Sequence, residues 1–291
     1  MLLATVLLWA LNVTVTRYVV TNGFKPLAYA TTRYLAAILL FWAFTWWRER
    51  SFRIGRADWP LVLLAATLIF LNQLAFVYGL KLTSASTIGL ALGVVPIFAG
   101  IFARLVGVER PAGSFWVAAA VSFFGVGLIA AGAGDGLSGN VTGKLLAIAV
   151  PASWAAYSVS IAPLMRRYSP FRISSSVLAL GWIPLVFVSI PQLQSQTLDG
   201  FGWKMFLAFA FAVVGPLFLT NILWFTAIGR VGPARATLFA NLQPFFVVLF
   251  AVLLLSESLG AWEIAGGVLI GVGIVIERRG HPAPAVAVAG E

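Results

Sequence analysis

The stretch VVPIFAGIFARLVGVERPAGSFWVAAAVSFFGVGLIAAG (Val94–Gly132) has a counterpart in LQPFFVVLFAVLLLSESLGAWEIAGGVLIGVGIVIERRG (Leu242–Gly280). At a constant offset of 148 residues (244 − 96), Pro96 falls on Pro244, Phe98 on Phe246, Ala103 on Ala251, Glu109 on Glu257 and Gly125 on Gly273. The same offset carries Gln73 to Asn221, Phe76 to Trp224 and Tyr78 to Thr226. Further back, Trp9 and Asn12 fall on Trp154 and Tyr157 at a shift of 145 (154 − 9). Apolar runs align with one another by chance, but not in step through proline, glutamate and glycine together. The chain is therefore read as two related halves, joined near residues 134–142.

Composition sets the medium. Hydrophobic residues are 61% of 291 and charged residues 10%, against roughly 45–50% and 25% in soluble domains. Mean hydropathy is +0.98. A soluble, disordered or fibrous protein is excluded, because so little charge cannot cover a folded surface. Apolar runs of about 20 residues fit bilayer-crossing helices. Breaks at Gly, Pro and charge clusters predict ten, at 2–20, 27–47, 59–80, 85–106, 114–133, 143–165, 173–192, 204–228, 234–255 and 261–277. The expected fold is an all-α polytopic membrane protein: ten transmembrane helices as two inverted five-helix repeats, 1–133 and 143–280, with a flexible cytoplasmic tail, 281–291. The inversion follows from parity, since an odd number of crossings turns the second copy over.

The formal charge is +10, and the basic residues sit in the short gaps between spans. With the N-terminus inside, thirteen Lys and Arg face the cytoplasm (Arg48, Arg50, Arg53, Arg56, Arg104, Arg110, Arg166, Arg167, Arg172, Arg230, Arg235, Arg278, Arg279) and five the other side (Arg17, Lys25, Lys81, Lys144, Lys204). The positive-inside rule then predicts both termini in the cytoplasm and accounts for the charge without nucleic acid. Met1 leads straight into an apolar span that is read as retained. The chain has no cysteine, and its one histidine, His281, lies in the tail, so no metal site, cofactor or thiol chemistry is expected. Trp46, Trp47, Trp59 and Trp203 fall near span ends, where amphipathic rings favour the interface.

Function must then lie in polar and aromatic groups within the spans. Trp9 with Asn12, Trp154 with Tyr157 and Ser158, Gln73 with Phe76, and Asn221 with Trp224 share helical faces at matched places in the two halves. Asn241 and Gln243 precede Pro244, and Tyr78 ends the third span. Buried amides need partners, which either a neighbouring helix or a cargo can supply. Taken together, they predict a cavity suited to a neutral zwitterion with a large apolar side chain. Pro96 and Pro244, each removing an intrahelical hydrogen bond, are candidate gating hinges. Glu109 and Glu257 are read as helix caps. Arg33 is the one charge well inside a span, at a cost of about 2.5–3.5 kcal/mol if left in lipid; it either snorkels to the interface or faces a carboxylate. No Asp, Glu, His or Cys lies mid-span, which argues against an intramembrane enzyme and a buried-carboxylate proton antiporter.

The ten spans, two halves and the Pro…Glu…Gly pattern of the two quoted stretches resemble the drug/metabolite transporter superfamily, specifically its EamA-type bacterial branch. The resemblance extends over nearly the whole chain. It implies a substrate cavity between the first, third, fourth, sixth, eighth and ninth spans, which leaves Arg33 in the second span outside it. It also implies a location in the bacterial inner membrane, and the aromatic-rich spans are most like exporters of aromatic or other neutral amino acids. The expected activity is outward transport of such amino acids by alternating access, in a monomer whose partners are a small-molecule substrate and the lipid bilayer. A drug or general-metabolite exporter and an organophosphate or nucleotide-sugar-type carrier are the alternatives, the latter needing several cavity cations.

Overall fold

The computed structural model describes residues 1–82, 91–132, 141–198, 200–243, 245–246, 249–250 and 261–280. Its helices are α1 (Leu2–Thr21), α2 (Pro26–Glu49), α3 (Trp59–Leu82), α4 (Val95–Val106), α5 (Gly113–Gly132), α6 (Val141–Leu164), α7 (Pro170–Gln194), α8 (Trp203–Val213), α9 (Thr220–Val231), α10 (Pro233–Ala240) and α11 (Ala261–Gly280). A π-helical turn, Val214–Leu219, joins α8 to α9. No strand occurs among the described residues. Every span expected from hydropathy contains a described helix, and five continuous helical stretches are long and apolar enough to cross a bilayer alone. Pro170 opens α7 behind Ser169, whose hydroxyl accepts from Arg172 N at 3.2 Å, an N-cap that satisfies one orphan amide. Gly107, at φ +74°, closes α4 in the left-handed region.

Two spans are not continuous helices. α4 starts only at Val95, after a turn at Gly93–Val94, and α10 stops at Ala240 before a turn at Asn241–Leu242. These turns are 148 residues apart (241 − 93), so the breaks repeat along with the sequence. Pro96 consequently sits in the first turn of α4, where a proline needs no amide. The expected mid-helix kink at Pro96 is replaced by an interruption of the helix just before it. Pro244, Glu257 and the 281–291 tail lie outside the described residues. Among the described residues, prolines inside α-helices include Pro151 and Pro163 in α6 and Pro184 and Pro191 in α7, and Pro216 lies in the π turn.

The contacts are reciprocal between the halves. A Cβ built on Gly125 of α5 would meet Gly266 O at 2.6 Å and the Ile270 side chain at 2.8 Å. One built on Gly273 of α11 would meet Ala118 O at 2.8 Å and the Ser122 hydroxyl. Gly266 and Ile270 are the offset mates of Ala118 and Ser122. Asn241 Nδ2 likewise donates to the carbonyl of its own mate, Gly93, at 3.4 Å. Such exchange of partners is the signature of a two-fold relation. Loops gather at two ends. At one, Asp58 accepts from Arg167 Nη1 (2.5 Å) and Tyr168 Oη (2.7 Å), and Glu49 pairs with Arg172 at 2.6 Å. At the other, Gln192 and Gln196 side chains accept from the backbone amides of Leu27 and Lys25 at 2.8 and 2.7 Å. The flanks expose large apolar side chains, Phe124 at 67% and Phe187 at 68%, a surface made for lipid.

Candidate functional site

A cavity of about 130 Å³ lies in the middle of the molecule. Trp9 and Asn12 of α1, Arg33 and Tyr34 of α2, Ile69 and Gln73 of α3, Trp154 and Tyr157 of α6, Leu178 of α7, Pro216 and Leu217 of the π turn and Asn221 of α9 line it. Ten of these twelve fall into mate pairs at the two offsets: Trp9 with Trp154, Asn12 with Tyr157, Arg33 with Leu178, Ile69 with Leu217, and Gln73 with Asn221. A cavity lined by such pairs sits on the two-fold axis, between the halves.

One wall is formed by Trp9 and Trp154, with Trp224 packed behind them. The Trp9 ring centroid is 5.5 Å from Trp154 and 5.0 Å from Trp224, and the last two are 6.1 Å apart. Tyr157 continues the wall 5.5 Å from Trp154. Trp9 Nε1 donates to Thr220 Oγ1 at 3.0 Å, and that hydroxyl in turn donates to the Pro216 carbonyl. Asn221 Nδ2 donates to the Leu217 carbonyl at 2.6 Å. Pro216 has no amide to give its own helix. The extra residue of the π turn relieves it there, and side chains satisfy the carbonyls of Pro216 and Leu217, a known use of such turns at functional sites.

Arg33 does not snorkel. Its guanidinium turns inward, with Nη1 3.5 Å from Asn12 Oδ1 and Cζ 4.9 Å from the Tyr29 ring centroid, a cation–π distance. The second span thus contributes to the cavity, contrary to what the resemblance implied. No carboxylate stands among the residues lining the cavity.

Residues 1–131 and 141–277 match the EamA-like transporter family. The chain belongs to that family. It is 28% identical to the uncharacterized transporter YwfM of Bacillus subtilis, over 86% of this chain and 83% of that one. An uncharacterized transporter of Archaeoglobus fulgidus is 26% identical over 94% and 97%, and the uncharacterized inner membrane transporter YedA of Escherichia coli 28% over 86% and 80%. A solved crystal structure shares the fold, with a TM-score of 0.80 at 18% identity over 94% of each chain. The protein is a multi-pass membrane transporter.

Not every residue singled out in the sequence lines the cavity of this EamA-like transporter. Trp9, Asn12, Arg33, Gln73, Trp154, Tyr157 and Asn221 do. Trp224 packs behind the wall, 1% exposed. Ser158 is buried outside the lining, and Phe76 and Gln243 are half-buried away from it. Tyr78 is 39% exposed; it follows Gln73 by five residues, which turns it about 140° round the helix. Asn241 is buried and spends its amide on Gly93, as interhelical glue. Asn72, next to Gln73, does the same for α6, donating to Val150 O at 2.9 Å and Ser153 Oγ at 3.1 Å. Sequence reasoning missed Tyr34, Ile69, Leu178, Pro216 and Leu217. Pro216 was the one with a signal, a proline inside an otherwise uninterrupted apolar span.

A second cavity, about 280 Å³, opens among the loops at the arginine-rich end, bounded by Glu109, Arg110, Arg166, Arg230 and Arg235. Glu109 caps a helix, but in the other half: its Oε2 accepts from Ala234 N of α10 at 3.0 Å. Arg235 beside it pairs with Glu277 of α11 at 2.9 Å. Burial raises the Glu109 carboxyl above its usual range, and the Glu277 charge adds to this, while the Ala234 amide and Arg235 pull it back.

Proposed function

We propose that the protein exports neutral amino acids or closely related small metabolites by alternating access. Two inverted five-helix halves, 1–133 and 143–280, would enclose the central cavity, with both termini and the 281–291 tail on the cytoplasmic side of a bacterial inner membrane. The observation that carries the reading is the lining itself: amides and aromatic rings at matched positions of both halves, meeting on the axis. A binding site on the axis between inverted repeats can open to either side in turn with the same residues around the cargo. Downhill flux needs no titrating group at this depth, and the lining holds no carboxylate or histidine. The size of about 130 Å³, below the roughly 300 Å³ at which ligand pockets usually begin, favours a small cargo. An aromatic amino acid requires the tryptophan wall to part.

The test is efflux from proteoliposomes loaded with labelled alanine, threonine or phenylalanine. Saturable efflux above empty liposomes is expected, strongest for the smaller two. Alanine substitution of Trp154, Tyr157 or Trp224 should lower it without loss of protein from the membrane. Absence of amino-acid efflux above background overturns the reading.

A further inference from the structure

We propose that Arg33 is the carboxylate-binding residue of the central cavity, which the Tyr157 hydroxyl also lines, so that the cargo carries a carboxylate. The substrate class rests on the reading above, whereas the carboxylate site rests on the cavity alone.

The argument is an inventory of donors and acceptors. Arg33 Nε is shut off from solvent and has no hydrogen-bond partner among the described residues, and its one side-chain partner, Asn12 Oδ1, stands at a long 3.5 Å. Tyr157 Oη and Trp224 Nε1 are likewise buried without partners. Buried polar groups are ordinarily hydrogen-bonded, and each exception calls for an explanation. All three orphans can donate, and an arginine can only donate. Asn12 Oδ1 is already engaged by Arg33 and the Asn221 amide group by Leu217 O. Trp224 stands behind the wall, so the cavity itself offers the positive charge of Arg33 and the spare Tyr157 hydroxyl, with no carboxylate among its lining residues to neutralise them. Three arginines near the loop ends are treated differently: Arg167, Arg172 and Arg235 each hold a carboxylate within 2.9 Å.

A ligand carboxylate supplies what the lining lacks. Guanidinium and carboxylate match as planar forks, and the Tyr157 hydroxyl gives a further donor. The cargo's ammonium then has the free carbonyl oxygen of Asn221 and the faces of Trp9 and Trp154, where a cation is attracted to the ring quadrupole. Leu178 and Ile69 are left for an apolar side chain. Among small metabolites, a neutral amino acid fits this division, and its amide or its decarboxylated amine does not.

Two measurements test the proposal. In purified wild type, alanine, lactate and propionate are each expected to raise the thermal midpoint, whereas alaninamide and ethylamine are not. In proteoliposomes, alanine should compete for labelled-alanine efflux at least tenfold better than alaninamide. Arg33→Gln should bring that ratio near one and abolish stabilisation by propionate. Asn12→Asp, which places a carboxylate beside Arg33 and keeps its charge paired, should do the same in a protein that folds at least as well. A merely structural Arg33 would lower flux for acid and amide alike and leave their ratio at the wild-type value; that result overturns the proposal, as does a wild type that favours the amide. Propionate stabilisation through Arg33 without amino-acid efflux would sink the export reading and leave the carboxylate site standing. Amino-acid efflux with an unchanged ratio in both variants would do the reverse, and neither effect in wild type would end both.

Discussion

The seam between α5 and α11 and the central cavity are both built from offset mates, yet they treat their mates differently. At the seam, Gly125 and Gly273 are the same residue and meet backbone in the same way. In the cavity, Arg33 faces the place of Leu178, Asn12 that of Tyr157, and Gln73 that of Asn221. Where an added side chain would strike facing backbone, both copies keep glycine. Where mates border open space, each copy is free to carry different chemistry. The backbone is two-fold and the site is not, so the cavity can hold a cargo with two unlike ends in one orientation.

The seam is where substitution should cost most. Gly125→Ala and Gly273→Ala each drive a methyl group into backbone of the facing helix. Each is expected to lower stability by about 1–3 kcal/mol, the usual range for overpacking, and by similar amounts in the two halves. Thermal unfolding in detergent measures this, and a large inequality between the two would break the symmetry argument. Next comes the cavity, where Arg33→Gln should reduce carboxylate transport at least tenfold, about 1.4 kcal/mol, with little change in melting. The mates Trp9 and Trp154 then offer a finer contrast. Both alanine variants should lose flux several-fold, and Trp9→Ala the more, because it alone releases Thr220 at the π turn.

The smallest effect is expected at the arginine-rich end. Glu109→Ala removes the cap on Ala234 and should cost about 1 kcal/mol, whereas Glu109→Gln keeps an acceptor and should cost less. The sign with pH is fixed by burial. A carboxyl raised above its ordinary value binds its proton more tightly in the folded state, so its contribution is full in acid and is lost as pH rises through the raised value. The melting difference between wild type and Glu109→Gln should therefore shift against wild type as pH rises above about 4, the ordinary value of a glutamate. A difference that is flat with pH would place Glu109 in an environment as polar as water.

The repeat, the helical class and six of the cavity residues (Trp9, Asn12, Gln73, Trp154, Tyr157 and Asn221) were legible because they rest on identity and spacing. Helix existence follows from apolar length, and the offset from Pro, Glu and Gly in step. The direction in which each helix faces was not legible. In a lipid-facing bundle, nearly every position is apolar, so periodicity carries little information about which side meets protein. Arg33 could be read as snorkelling because its depth allowed it, and only its contacts with Asn12 and Tyr29 show it turned inward. Asn72 and Gln73 are adjacent amides, and nothing in their order says that the first glues α6 and the second borders space. The breaks at Gly93–Val94 and Asn241–Leu242 were hidden for a similar reason: the conspicuous prolines stand just after them, in positions that any helix start accepts.

The hydrogen bond from Asn241 to Gly93 joins a residue to its own mate, so it lies on the axis that relates the halves. Points on such an axis stay put when two halves trade shapes. Under the alternating access proposed above, this buried bond would be a fulcrum, and a covalent tether across it should leave turnover intact while tethers at either loop cluster arrest it.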